Sequence, residues 1–212
     1  MALYIKSVAL TLLLAIMLLG GCDKDSNQKK IAAAIREAAP EHTIVTDANL
    51  RTSPNAWDQI GSLVETEILE DKNVVYSFHF YEPMNFTHQG ATWGTDFWQH
   101  LKAIPYPSTP ENVRTAINES DPSVKSIIQS YGQERWNAEK IMARFQIAGE
   151  WAQQNKVPVY CGEFGCINWT GAPAGSREAW YHDVKAAIDK HNFGWAIWFS
   201  VDEEVKAGLG LR

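Results

Sequence analysis

The chain is poor in cysteine, carries no surplus of positive charge and has no apolar run long enough for a confident membrane span. Cysteine occurs at Cys22, Cys161 and Cys166 in 212 residues. No Cys-x-x-Cys pair and no histidine cluster at ligand spacing accompanies them, so no metal centre is expected, and no cofactor. The formal net charge of −6 and isoelectric point near 5.5, with no run of basic residues, argue against a nucleic-acid partner, because phosphates demand a basic surface. Internal repeats and low-complexity tracts are absent as well. What is present, with 45% hydrophobic residues, suits a soluble globular domain with a sizeable core.

The N-terminus reads as an export signal. Lys6 supplies a thin positive region, Ser7 to Leu19 the apolar stretch, and Leu19-Gly-Gly-Cys22 a lipobox-like end. The apolar stretch is too short for a dependable span. The whole resembles a bacterial lipoprotein signal, cleaved before Cys22 so that this cysteine takes a lipid; an ordinary secretory signal or an uncleaved anchor is the alternative. The expected division is a signal at 1–22, a short linker at 23–27 and a catalytic domain over 28–212. The expected location is the membrane, anchored through Cys22 on the periplasmic or cell-surface side, and Asp23 resembles an inner-membrane retention signal. An exported protein permits disulfides, but two free thiols are expected at Cys161 and Cys166, with Cys161 buried.

Three of the segments that read as strands show two distinct faces. In Val157-Pro-Val-Tyr-Cys-Gly-Glu-Phe-Gly165, Val159, Cys161 and Glu163 alternate onto one face and Tyr160 and Gly162 onto the other, so Glu163 is expected to face inward at a strand end. In the second strand Val74, Tyr76, Phe78 and Phe80 make an apolar face, against Val75, Ser77, His79 and Tyr81 on the other. In the third, Gly194 to Ser200, Trp195, Ile197 and Phe199 are expected against helices, and Ala196, Trp198 and Ser200 inward. Strands with one apolar and one functional face, alternating with helices, predict an α/β fold with a parallel sheet and a site at the strand ends.

The remaining elements are coarser. Gln28 to Ala39 reads as a helix, His42 to Asp47 as a strand and Pro54 to Glu70 as a weak loop-helix region. Asn137 to Asn155 is a firmer helix, with Ile141, Phe145, Ala148 and Ala152 on one face, and Pro158 forbids its continuation. Ser176 is expected to cap a helix whose apolar side is Trp180, Val184, Ala187 and Ile188. Glu82 to Trp136 is the longest connection, and a loop of that length is usually functional or disordered. Trp136 and Trp151 read as packing residues.

Taken in order, His42-Thr-Ile-Val45, Asn73-Val-Val-Tyr-Ser-Phe-His-Phe-Tyr-Glu-Pro83, Phe86-Thr-His-Gln-Gly-Ala-Thr-Trp93, Val159-Tyr-Cys-Gly-Glu-Phe-Gly165 and Gly194-Trp-Ala-Ile-Trp198 resemble glycoside hydrolase family 5. These are cellulase-like retaining glycosidases on a (β/α)8 barrel. The resemblance implies a β-linked glucan or related polysaccharide as substrate. It makes Glu163 the nucleophile, His79 and Tyr81 the His-x-Tyr pair beside it, and Trp198 the platform under the cleaved sugar. In the long connection Trp93, Phe97, Trp98 and Tyr106 then offer flat faces to sugar rings, and His88 and Gln89 offer hydrogen bonds to hydroxyls; a satellite core under the loop is the alternative for the aromatics.

The family's acid/base is a glutamate in an Asn-Glu-Pro triplet at the fourth barrel strand, and the sequence has no such triplet. Glu82 alternates to the wrong face, and Asn118-Glu-Ser120 lies in the long loop. Without the leader roughly 190 residues remain, against about 250 for a typical barrel. The expectation is therefore the C-terminal half-barrel, strands five to eight, with impaired hydrolysis and with homo-association or a complementing half. A carbohydrate-binding lipoprotein without turnover and an inactive truncated product are the alternatives.

Overall fold

The structure is a computed structural model that describes residues 24–48, 58–169, 171–198 and 202–211. The signal segment and Cys22, and Phe199 and Ser200 of the third strand, lie outside the described residues. Four strands, β1 Ile44–Asp47, β2 Val74–Phe80, β3 Val159–Phe164 and β4 Gly194–Trp195, form one parallel sheet in sequence order. Helix α1 (Lys24–Ala38) precedes β1, and α2 (Gln59–Val64) joins β1 to β2. The connection from β2 to β3 holds α3 (Met84–Thr87), α4 (Arg114–Glu119), α5 (Lys125–Glu134) and α6 (Ala138–Asn155). Helix α7 (Ser176–Lys190) joins β3 to β4, and α8 (Glu203–Leu209) follows. Consecutive parallel strands, each reached through a helical crossover, make an arc of a (β/α)8 barrel.

The helices cover one face of the sheet, and the sequence shows why. On β2, Val74, Tyr76, Phe78 and Phe80 are each at most 2% exposed. Phe145 of α6 meets Phe78 and Phe80 edge-on at 5.6 and 4.7 Å, and Trp151 meets Tyr76 at 5.4 Å, so Trp151 is a packing residue. Each fully buried side chain of this size contributes roughly 1.5–3 kcal/mol of transfer free energy. Helix α6 begins where the Asn137 side chain accepts from the Lys140 amide at 2.9 Å, and ends at Lys156 in the left-handed region. Its buried stripe of Ile141, Phe145, Ala148 and Trp151 follows the helical period.

Several boundaries differ from expectation. Helix α1 begins at Lys24, so residues 24–27 of the expected linker belong to it. Strand β1 begins at Ile44 rather than His42. Ser176 does not cap α7; it is the first helical residue, and its buried hydroxyl accepts from the Tyr106 amide at 3.2 Å. Strand β4 is short, although Ala196 and Trp198 still donate to the Cys161 and Phe164 carbonyls at 3.0 and 2.9 Å. The long connection is neither bare loop nor disordered: it folds into helices over its own core, in which Trp98 and Tyr106 are 2% and 3% exposed. Among the described residues no helix is long and apolar enough to cross a membrane.

A bulge corrects the reading of β3. Phe78 pairs with Cys161, but His79 pairs with Glu163, so Gly162 is the extra residue. Cys161 therefore shares the helix-facing side with Phe78 and is fully buried, while Glu163 joins His79 on the opposite side. Strict alternation would have sent Cys161 and Glu163 to the same face. Gly162 is required here, because a Cβ at this position would lie 2.6 Å from the Ser77 hydroxyl oxygen. Cys161 and Cys166 are both free and buried, and burial raises both thiols, Cys166 up to about 12.

Candidate active site

The uncovered face of the sheet brings three polar side chains together at the C-terminal ends of successive strands: Asp47 on β1, His79 on β2 and Glu163 on β3. The Tyr81 hydroxyl donates to Glu163 Oε2 at 2.9 Å, and His79 Nδ1 stands 3.2 Å from the same oxygen. Both contacts fall on Oε2, which leaves Oε1 as the oxygen presented to an incoming group. The other ring nitrogen of His79, Nε2, lies 3.2 Å from Asp47 Oδ2. The His79 amide donates to the Gln59 side chain of α2 at 2.7 Å, which fixes the backbone beneath the ring. Sequence reasoning missed Asp47; an acid as the last residue of a strand in the same sheet was the available signal.

The electrostatics follow from this geometry. Burial of the His79 ring works against its charge, yet Asp47 and Glu163 outweigh burial and raise its pKa above the ordinary histidine value. Burial, and then the Glu163 charge, push the Tyr81 phenol far above its usual range, so it remains a donor.

The segment after β2 buttresses Tyr81. The Thr87 hydroxyl donates to the Tyr81 carbonyl at 2.6 Å, and the His88 ring sits edge-on to Tyr81 at 5.2 Å and against Trp98 at 4.7 Å. Burial depresses the His88 pKa to about 4, so this ring is neutral. Gln89 is 1% exposed, and its amide serves the Phe86 carbonyl and both backbone groups of Ile104. Both residues were expected to bond sugar hydroxyls. Gln89 is enclosed and bonded on both sides of its amide, which makes it a support of the loop, while His88 is bonded through Nδ1 to the Thr87 hydroxyl at 2.9 Å.

Among the described residues three indoles are open at this end of the sheet. Trp198 is 54% exposed one strand beyond Glu163, and Trp93 and Trp169 are 45% and 61% exposed, 5.3 Å apart. The loops carrying the last two are tied by the Ile167 amide, which donates to the Thr87 carbonyl at 2.9 Å. The alternative carboxylates point elsewhere. Glu82 turns to the helix side, where Arg144 donates to it at 2.8 and 3.0 Å, and Glu119 is an exposed residue closing α4. A groove of ≈580 Å³ beside α6, lined by Asp58, Glu82, Phe97, Trp136, Lys140 and Arg144 among others, contains none of His79, Tyr81 or Glu163. Among the described residues no cluster of three or more histidine, cysteine or acidic groups is placed to hold a metal.

A carboxylate held by a tyrosine and a histidine at a strand end of a barrel-like sheet, with open indoles on the neighbouring loops, is an arrangement suited to meeting a sugar ring. The family model described as Cellulase (glycosyl hydrolase family 5) matches residues 23–203, and the chain belongs to that family. It is 34% identical over 190 residues to endoglucanase 3 of Fibrobacter succinogenes, covering 84% of this chain and 27% of that protein. Against endoglucanase C of Acetivibrio thermocellus the identity is 29% over 165 residues, covering 78% and 45%. A solved structure of cellulose synthase subunit Z from Clostridioides difficile is similar with a TM-score of 0.65 and 26% identity, covering 87% of this chain and 55% of that one. The chain thus spans about half or less of the length of the proteins it matches.

Proposed function

We propose that this chain carries the nucleophile half of a retaining β-glucan hydrolase, with Glu163 attacking the anomeric carbon. The observation that carries the reading is the pair of contacts on Glu163 Oε2, from Tyr81 and His79. In the first step an oxygen of Glu163 bonds to the anomeric carbon as the glycosidic C–O bond breaks and the leaving oxygen takes the electron pair. Water then displaces Glu163 from the sugar. Trp198 is the platform for the glycone ring and Trp93 a contact on the other side of Glu163; the names of the similar endoglucanases support a β-linked glucan as the polymer.

Retaining chemistry also needs a carboxylic acid about 5 Å from the nucleophile to protonate the leaving oxygen. The family's Asn-Glu-Pro triplet does not occur in these residues, so hydrolysis by this chain alone is slowed by a factor of about 10² to 10⁴, unless a complementing half-barrel or a second copy supplies the acid. A lipid at Cys22 would hold the domain at a membrane surface. The test is kinetic. Purified chain should release phenolate from an activated aryl cellobioside in a burst followed by a slow phase, and should release almost no reducing ends from plain cellulosic substrate. Fast turnover of the plain substrate would refute the missing acid. The open indoles Trp93, Trp169 and Trp198 favour a second reading, a glucan-binding protein without turnover, which binding without any burst would support.

A further inference from the structure

We propose that Asp47 is a positioning residue for the nucleophile: its carboxylate holds the His79 ring through Nε2, so that Nδ1–H points at Oε2 of Glu163 and Oε1 is left for attack. This deepens the glycosidase reading and depends on it for its catalytic consequence. The geometry is a line of three groups across three adjacent strand ends, with His79 3.2 Å from a carboxylate oxygen on each side. An ionised carboxylate only accepts hydrogen bonds. Both ring nitrogens must therefore carry protons to satisfy both neighbours, and the ring is an imidazolium clamped between two anions. The ring's backbone is fixed by Gln59, but nothing in that bond sets the ring's rotation; Asp47 does. The groups facing the ring are Asp47 from β1, Glu163 from β3 with Tyr81 beside it, and the neutral Gln59 amide from α2.

Without Asp47 the ring has one anion fewer to hold its charge. His79 then titrates at lower pH, and above that pH a neutral ring is free to turn its bare nitrogen toward Glu163, where two acceptors meet. The test uses the full chain and its Asp47→Asn and Asp47→Glu variants. Two readouts are taken: the His79 titration by NMR, assigned with His79→Gln, and the rate of Glu163 glycosylation by dinitrophenyl β-cellobioside against pH. In Asp47→Asn the His79 titration is expected to move to lower pH, and glycosylation at neutral pH to fall about tenfold, as misorientation at a reacting centre does. Asp47→Glu should restore part of both. If a folded Asp47→Asn protein keeps the parent's titration and rate, the proposal is wrong. If no variant, nor the parent, is glycosylated but the titration still moves, the clamp stands as geometry, its catalytic role is overturned, and the glycosidase reading falls.

Discussion

Substituting Gly162 by alanine tests the bulge that turns Glu163 toward the site. The added Cβ would stand 2.6 Å from Ser77 Oγ and 3.5 Å from His79 Cδ2 and Nε2. The contact with Ser77 is far inside the usual separation of about 3.5 Å or more, and Ser77 is only 4% exposed, so its hydroxyl has little room to retreat. Overpacking of this kind costs about 1–3 kcal/mol. Because the clash is with one atom, removing that atom should relieve it: Ser77→Ala in the same chain is expected to recover most of the loss, with a coupling of about 1 kcal/mol or more between the two sites. Urea unfolding of the parent, both single variants and the double variant, at equal m-values, measures the cycle. A Gly162→Ala chain as stable as the parent, or a double variant whose loss is the sum of the singles, would refute the bulge as described.

Three further outcomes are expected. His79 has a raised folded-state pKa, so its contribution to stability is complete below its unfolded value of about 6.5 and is lost as pH rises through the folded value; urea stability should fall as pH rises above about 6.5, and His79→Gln should flatten that part of the profile. Phe145 is fully buried between Phe78, Phe80 and Phe193, so Phe145→Ala should cost about 3–5 kcal/mol in the same assay. Among the described residues β1 and β4 are the edges of the sheet, and unpaired edges recruit other strands; light scattering well above micromolar concentration should show association, and a monodisperse monomer would contradict it.

The sequence made β2 legible because its apolar and polar residues alternate without interruption, and α6 and α7 legible because their apolar positions recur at helical spacing. Glu163 was placed on the correct face by a faulty route. Alternation through Gly162 put it beside Cys161, whereas the register shift separates them, and a bulge leaves no periodic trace beyond the glycine itself. Asp47 was passed over because an acid ending a short strand is a weak signal by itself; the parallel pairing of β1 with β2 is what brings it to His79. Gln89 misled in the opposite sense: a polar residue in a long connection suggests a ligand contact, but here the connection folds into its own core and uses the amide inside.

The most direct measurement concerns the nucleophile. Purified chain incubated with dinitrophenyl β-cellobioside is digested, and the adduct is located by peptide mass spectrometry, with Glu163→Gln treated in parallel. The expected result is one cellobiosyl adduct, on the peptide containing Glu163 and absent from the Glu163→Gln protein. An adduct on another residue, or one that persists after Glu163→Gln, would contradict the assignment of Glu163 as the attacking group.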